Sequence, residues 1–196
     1  MRRRGRVCAL QILYQMDLNR LFERDGRPLP PPSAAVVHEA LQLYWENFDP
    51  VDPADQLFAE RLVHGAAREI AALDAALATA SHHWKVTRMD KVDRNLLRLG
   101  AYEILRCADI PRSASINEAI EIAKRFSGND SAKFINGVLD QLHKEPGDAE
   151  ADAEASARPA PSAADADALA EATLDQADSL ADVLPLALHA ARRKPT

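Results

Sequence analysis

The stretch MDKVDRNLLRLGAYEILR, residues 89–106, decides the fold class of this 196-residue chain. Its apolar residues fall on one stripe of a helical wheel that is wide enough to face a core: Met89, Val92, Leu96, Leu97, Leu99, Gly100 and Ile104. Lys91, Arg94 and Arg98 recur on the opposite side, so we predict three cations on one solvent-facing edge. Thr87 or Asp90 can cap the start of the helix. The stretch therefore predicts an amphipathic helix that presents positive charge.

Glu103 lies inside the apolar stripe of this helix, where a carboxylate must be paired or hydrogen-bonded. It is either a lone general base or a structural acceptor that takes bonds from backbone amides or an arginine and joins two helices. No second catalytic group, phosphate-binding loop, dinucleotide fingerprint, nucleophile elbow or zinc pattern accompanies it. We therefore favour the structural role and expect no enzymatic activity and no cofactor.

The residues before this helix predict three more. The first runs from about Gly5 to Phe22, behind an arginine-rich arm that we expect to be loose. The second follows a proline-rich loop and is capped by Ser33. The third runs from Ala54 to about Ala80 with Asp52 as its cap. Gly65 in its middle predicts the close approach of a neighbouring helix.

Two helices follow the central one. Ser115 and Glu118 have the spacing of a capping box at the start of the first, and Gly128 suits the position just after its end. Residues 129–131 are expected to cap the second, which ends near residue 142. With few glycines and few β-branched runs, the chain is predicted to be all-α.

The net charge of −6 conceals an asymmetry between body and tail. Residues 145–196 hold 11 Asp and Glu against 4 Lys and Arg, which leaves the preceding 144 residues at +1. The tail alternates alanine with acidic residues and cannot bury enough apolar surface to offset its ordering entropy. We therefore predict a mildly basic domain over 1–144 and a disordered acidic tail over 145–196.

Other chemistry is not predicted. Cys8 and Cys107 lie within helical patterns and are interpreted as reduced core residues of a cytoplasmic protein. His82 and His83 are adjacent and therefore point about 100° apart on a helix, with no further Cys or His at ligand spacing, so no metal site is expected. No segment has the length of a membrane span or the apolar core of a secretory signal.

Several segments in this order carry a family resemblance: ALQILYQMDL (9–18), FAERLVHGA (58–66), HHWKVTRMDKVDRNLLRLGAYEIL (82–105), DIP (109–111) and INEAIEIAKRFSGNDSAKFINGVLD (116–140). Together they resemble the NusB family of bacterial transcription antitermination factors, over about residues 2–143. The resemblance implies two small packed helical bundles, at about 5–82 and 84–143. The proline-rich loop of residues 25–33 and the acidic tail are not part of this set of motifs.

The resemblance also implies a function without catalysis. NusB proteins pair with NusE, a small-subunit ribosomal protein, and together they bind box A of nascent ribosomal RNA and help RNA polymerase read through terminators. The implied RNA surface, with the cation edge found from spacing, comprises Arg2, Arg3, Arg4, Arg6, Lys91, Asp93, Arg94, Arg98, Asp130, Lys133 and Phe134. Tyr14 is a candidate contact to NusE. Whether the chain forms a homodimer stays open.

Two alternatives stay open. A similar helical module precedes the catalytic domain of some RNA cytosine methyltransferases, although only low-complexity sequence follows Lys144 here. The chain could also be a purely protein-binding helical module that uses Tyr14, the proline-rich loop or the tail. An RNA-binding assay with and without NusE separates a purely protein-binding module from an RNA-binding antitermination factor.

Overall fold

A computed structural model of the protein describes residues 2–81 and 89–142. The described residues form seven helices and one two-stranded antiparallel hairpin, which confirms the all-α fold class. The elements are α1 (Arg3–Leu18), β1 (Glu23–Arg24), β2 (Arg27–Pro28), α2 (Ala34–Asn47), α3 (Pro53–Arg68), α4 (Ile70–Ala80), α5 (Lys91–Arg106), α6 (Arg112–Phe126) and α7 (Asn129–Asp140). The predicted histidine pair at 82–83 and the predicted disordered tail lie outside the described residues.

Helix α5 is the centre of the packing. It contacts α1, α3, α4, α6 and α7. Helix α2 packs on α1 and α3, and α6 packs on α7. The result is two small packed helical groups with α5 in contact with both. The predicted division of the chain at about 5–82 and 84–143 stays a prediction. Residues 91–106 therefore organise the fold. The predicted basic face of this helix is largely buried and does not face solvent.

Three predicted helix starts are confirmed by their caps. The hydroxyl of Ser33 accepts a hydrogen bond from the Val36 amide at 3.4 Å. The carboxylate of Asp52 accepts from the Ala54 amide at 2.8 Å. Asp90 accepts from the Val92 amide at 2.9 Å. Each cap satisfies one of the amide groups that the first turn of a helix leaves without a partner.

Other helix boundaries differ from the prediction. The arginine arm is not loose, because α1 already begins at Arg3, and α1 ends at Leu18 rather than near Phe22. The predicted long helix over 54–80 is two helices, because Glu69 has φ −102° and ψ 15° and so leaves the helical conformation. Neither α6 nor α7 has a side-chain cap. The serines proposed as caps point to other partners, described below.

The glycine prediction in α3 is confirmed. A Cβ built on Gly65 would overlap the ring of Tyr102 on α5, so the two helices approach more closely than any larger residue allows. Gly128 has φ +93° and follows Ser127, the C-terminal cap of α6, as predicted for a glycine after a helix C-terminus. Cys8 and Cys107 are free and buried, as predicted. Within the described ranges, no helix has the length and apolar character needed to cross a bilayer.

Candidate nucleic-acid interface

The predicted solvent-facing edge of α5 is wrong for two of its three cations. The side chains of Arg94 and Arg98 are 3% and 2% exposed, whereas that of Lys91 is 39% exposed. A buried guanidinium must be neutralised where it lies. Arg98 makes a bidentate contact with Asp74 on α4, at 2.7 Å for both bonds. Neither arginine can reach an RNA phosphate without breaking buried ion pairs.

Asp17 on α1 neutralises the buried Arg94 and Arg98, and this role was not predicted from the sequence. Its carboxylate accepts hydrogen bonds from Arg94 at 2.7 and 2.8 Å and from Asn95 at 2.9 Å, and it lies 3.3 Å from the Lys91 ammonium. Burial alone would raise the pKa of Asp17, but the charges of Arg94 and Arg98 outweigh it and lower the pKa below its ordinary value. The available signal was an aspartate that interrupts the otherwise apolar helix pattern.

A second buried ion pair confirms the structural role predicted for Glu103. Arg6 on α1 donates two hydrogen bonds to its carboxylate, at 2.8 and 2.7 Å. Ser115 on α6 donates a third at 2.9 Å. The predicted cap at Ser115 is wrong because α6 already begins at Arg112, so that Ser115 lies inside the helix. Glu103 therefore ties α5 to α1 and α6. Arg6, predicted to contact RNA, is buried in this pair and holds the fold instead.

The N-terminal end of α1 carries a group of exposed or partly exposed cations, which we call the α1 cluster: Arg2, at the N-cap position, and Arg3 and Arg4 in the first turn of the helix. Arg3 makes a bidentate pair with Glu118 of α6, at 2.8 and 2.9 Å. Arg2 lies 3.2 Å from Asp109, and its guanidinium lies over the Phe58 ring. Arg4 is half-buried and forms no ion pair with any other residue in the described ranges. These arginines are positioned but remain partly in solvent.

Asp109, in the short link before α6, positions two of the cations at this end of the molecule. It binds the guanidinium of Arg61 through both oxygens as well as that of Arg2. The hydrogen bond from Arg61 lowers the pKa of Asp109 well below its ordinary range, so the carboxylate stays charged. Neither Arg61 nor Asp109 was singled out from the sequence, since their pairing joins residues 48 positions apart.

The start of α7 carries a second accessible group, which we call the α7 cluster: Asp130, Lys133 and Phe134. The side chain of Lys133 is 81% exposed and lies 3.6 Å from Asp130, and Phe134 packs partly on the core. Asp93 of α5 lies beside this cluster, where its Oδ2 accepts a hydrogen bond from Ser131 at 2.9 Å. Its Oδ1 is buried and has no hydrogen-bond partner among the described residues.

The predicted surface therefore resolves into two groups at opposite ends of α5. The α1 cluster lies near the C-terminal end of α5, because Arg6 binds Glu103. The α7 cluster lies near its N-terminal end, because Ser131 binds Asp93. Ten residues of helix separate these two anchor points, a distance of about 15 Å. The two groups are held at a fixed spacing rather than merged into one patch.

Tyr14, the predicted partner contact, is half-buried on α1. Burial raises the pKa of its phenol, as do the nearby carboxylates of Asp90 and Asp17. Burial likewise raises the pKa of the Cys8 and Cys107 thiols, which remain protonated and poorly nucleophilic. Within residues 2–81 and 89–142, no group of three or more His, Cys, Asp or Glu side chains is placed to hold a metal ion.

The fold and these side chains define a class: a helical protein whose partly exposed arginines and lysines form a surface suited to anions. A family model described as the NusB family matches residues 3–144. The chain belongs to the NusB family.

The chain is similar in sequence to named relatives over most of its length. It is 41% identical to the transcription antitermination protein NusB of Desulfatibacillum aliphaticivorans over 149 residues, which cover 76% of this chain and 94% of the relative. It is 40% identical to the protein of the same name from Anaeromyxobacter dehalogenans strain 2CP-1 over 141 residues, which cover 72% of this chain and 89% of the relative.

Solved structures show the same architecture. The chain is similar to T. maritima NusB with a TM-score of 0.61 and 32% sequence identity, over 76% of this chain and 97% of that one. A chain in the crystal structure of antitermination factors NusB and NusE in complex with dsRNA matches with a TM-score of 0.54 and 24% identity, over 71% of this chain and 92% of that one. At that identity the second likeness shows the fold.

Proposed function

We propose that the protein is a transcription antitermination factor. It acts as an RNA-binding adaptor that pairs with the ribosomal protein NusE, binds box A of nascent ribosomal RNA in the cytoplasm and promotes read-through by RNA polymerase. The observation that carries this proposal is membership of the NusB family over residues 3–144, with relatives of about 40% identity that are antitermination proteins. In this function the protein is a binding partner and not an enzyme.

The α1 cluster is proposed to bind RNA phosphates. The first turn of α1 contains no acidic residue and has no side-chain cap, so its amide groups and its helix dipole add to the positive charge of the arginines. A guanidinium binds phosphate in the same bidentate way as it binds carboxylate. Arg3 can therefore exchange Glu118 for a phosphate without changing its shape, and Arg2 can do the same with Asp109.

The α7 cluster, together with Asp93, is proposed to read bases. An aromatic ring at the edge of the core, such as Phe134, can stack on an unpaired base, and Lys133 beside it can bind a phosphate. The unpartnered Oδ1 of Asp93 is covered in the free protein, and it would accept from the amino group of a cytosine or adenine once the side chains over it move on RNA binding. A buried acceptor without a donor is costly, and an RNA donor would remove that cost.

The buried ion pairs contribute by holding both groups in place. Asp17 and Glu103 fix α1 against α5, and Asp93 joins α5 to α7 through Ser131. At about 3.4 Å per stacked nucleotide, the spacing of about 15 Å between the anchor points corresponds to roughly four nucleotides. A surface that is already ordered avoids the entropic cost of arranging its side chains when RNA binds.

The test is electrophoretic mobility of a box A RNA with this chain, with NusE, and with both. We expect a discrete complex that is strongest when both proteins are present. If RNA mobility with both proteins equals that with NusE alone, the chain is a protein-binding module and the proposal fails.

Two substitutions separate the roles of the two clusters. Arg3→Ala should weaken binding to box A and to a scrambled RNA by the same factor, because phosphate contacts carry no sequence information. Phe134→Ala should mainly reduce the preference for box A over the scrambled RNA. A Phe134 variant that weakens binding to both RNAs equally would contradict the assignment of base reading to the α7 cluster.

A further inference from the structure

We infer that the hairpin formed by β1 and β2 is an additional RNA-binding element, in which Arg24 and Arg27 bind backbone phosphates outside box A. This inference rests on the proposed function and extends the RNA surface to a segment that lies partly in the proline-rich loop. We call Arg24 and Arg27 the hairpin arginines.

The hairpin is rigid and is anchored in the fold. Its turn residues Asp25 and Gly26 have φ of +52° and +75°, the conformation of a tight two-residue turn that matches the twist of the strands. Glu23 accepts a hydrogen bond from the buried Arg94 at 3.1 Å. Phe22, just before the hairpin, is buried beneath the guanidinium of Arg98. The buried network of α5 therefore fixes where the hairpin lies.

The hairpin arginines face each other and lack counterions among the residues that the structure describes. They are direct partners across the antiparallel pair, which brings their Cβ atoms to within about 5.5 Å of each other. Like charges directly opposite on paired strands are destabilising. Both are exposed, and neither forms an ion pair with another residue of ranges 2–81 and 89–142. A phosphate bound between them would relieve this repulsion.

The surroundings favour RNA over an acidic protein as the occupant. Arg20 adds a third cation with a side chain 69% exposed, and its only carboxylate in the described residues is Asp25, at 3.8 Å. A protein interface would need an apolar anchor at its centre. Among the described residues, the exposed large apolar side chain is Leu57, on α3 and outside the hairpin. The hairpin offers charge without such an anchor, which suits a phosphate backbone.

The position of the hairpin also suits this role. Glu23 binds Arg94, and Asp93 next to it in sequence binds Ser131 of α7, so the hairpin and the α7 cluster flank the start of α5 from two sides. Lys91, a partly exposed cation, begins that helix between them. An RNA strand leaving the α7 cluster across Lys91 would reach the hairpin arginines.

The experiment measures the salt dependence of RNA affinity for the complex with NusE, with an RNA that extends beyond box A on both sides. The variant is Arg24→Ala/Arg27→Ala. Loss of two phosphate contacts should make the slope of log K against log salt less steep by about 1.4 and weaken binding at least about tenfold near 0.1 M salt. The loss should be smaller with an RNA trimmed to box A.

The matched control is Arg68→Ala/Arg106→Ala, which removes two arginines that share Glu69 elsewhere on the surface. It should leave the slope unchanged, so that a general effect of net charge is excluded. A second variant, Arg24→Lys/Arg27→Lys, should keep the wild-type slope because it keeps both charges. Because the hairpin arginines are exposed and their like charges repel, neither hairpin variant should have a melting temperature below that of wild type.

The outcomes distinguish this inference from the proposed function. If the wild-type complex binds RNA and the hairpin variant has the same slope as the control, the inference is wrong and the proposed function stands. If the hairpin variant instead loses affinity for NusE in the absence of RNA, the hairpin binds protein and the inference is again wrong. If the wild-type complex shows no salt-dependent RNA binding, both fail together.

Discussion

Replacing Asp17 with Asn tests whether one buried carboxylate holds α1 against α5. The substitution keeps the shape of the side chain and removes its charge. Arg94 would then keep one carboxylate partner, Glu23, and Arg98 would keep one, Asp74. Because Asp17 is 2% exposed, solvent does not screen the loss.

Removing one partner of a buried ion pair costs about 3–5 kcal/mol, because the remaining charge is left without compensation. Since Arg94 and Arg98 each keep a second carboxylate, we expect the lower end, about 3 kcal/mol. Typical domains unfold at a cost of only about 5–15 kcal/mol, so this is a large share of the total. At about 2–4 °C per kcal/mol, the melting temperature should fall by about 10 °C.

Chemical denaturation monitored by far-UV circular dichroism measures this loss. The control is Asp25→Asn, an equivalent change at an exposed position, which should alter the free energy of unfolding by less than about 0.5 kcal/mol. If Asp17→Asn unfolds within about 1 kcal/mol of wild type, the buried cluster does not stabilise the fold as described.

The same variant makes a prediction about pH. The pKa of Asp17 is lowered in the folded protein, so its contribution is complete above the unfolded pKa of about 3.9 and is lost as the pH falls below it. The difference in unfolding free energy between wild type and Asp17→Asn should therefore be constant from about pH 5 to 8 and narrow below about pH 4. A difference that changes near neutral pH would point to another titrating group.

Gly65→Ala should destabilise the protein by about 1–3 kcal/mol, because the added methyl overlaps Tyr102. Gly137→Ala, in the exposed interior of α7 where an added methyl meets no atom within 4 Å, should stabilise it by about 0.5–1 kcal/mol. Thermal unfolding measures both. Glu118→Gln should tighten RNA binding about two- to fivefold in fluorescence anisotropy, because it frees Arg3 from a competing carboxylate.

The predictions for Gly65 and Glu118 each have a result that would contradict them. A Gly65 variant as stable as wild type would show that α3 and α5 can separate at little cost. The control for Glu118 is Glu121→Gln, which removes an equal charge that pairs with Lys124 on the same helix. If both glutamine variants tighten RNA binding equally, the effect is one of net charge and not of releasing Arg3.

The parts of the fold that depend on neighbours in sequence were predictable. The caps at Ser33, Asp52 and Asp90 satisfy amides two or three residues away, so their spacing identifies them. The close approach at Gly65 was also predictable, since a glycine within a helix otherwise only weakens it. The partner helix was not, because contact with Tyr102 is a property of the tertiary structure.

The site was predicted less well, because whether an arginine is buried in an ion pair or exposed to solvent depends on carboxylates that are distant in sequence. Helical spacing places Arg94 and Arg98 opposite the apolar stripe, but α1 covers that side and Asp17 neutralises it from 77 and 81 residues away. The break at Glu69 has no proline or glycine to signal it. The hairpin strands have two residues each, too short for an alternating pattern.

The most direct measurement is the slope of log K against log salt for an RNA trimmed to box A, bound by the complex of this chain with NusE. Five exposed or partly exposed cations in the proposed site, Arg2, Arg3, Arg4, Lys91 and Lys133, would neutralise up to about five phosphates and give a slope near −3.5. A slope shallower than about −1 would mean that these cations do not bind the RNA backbone, and the proposed interface would be wrong.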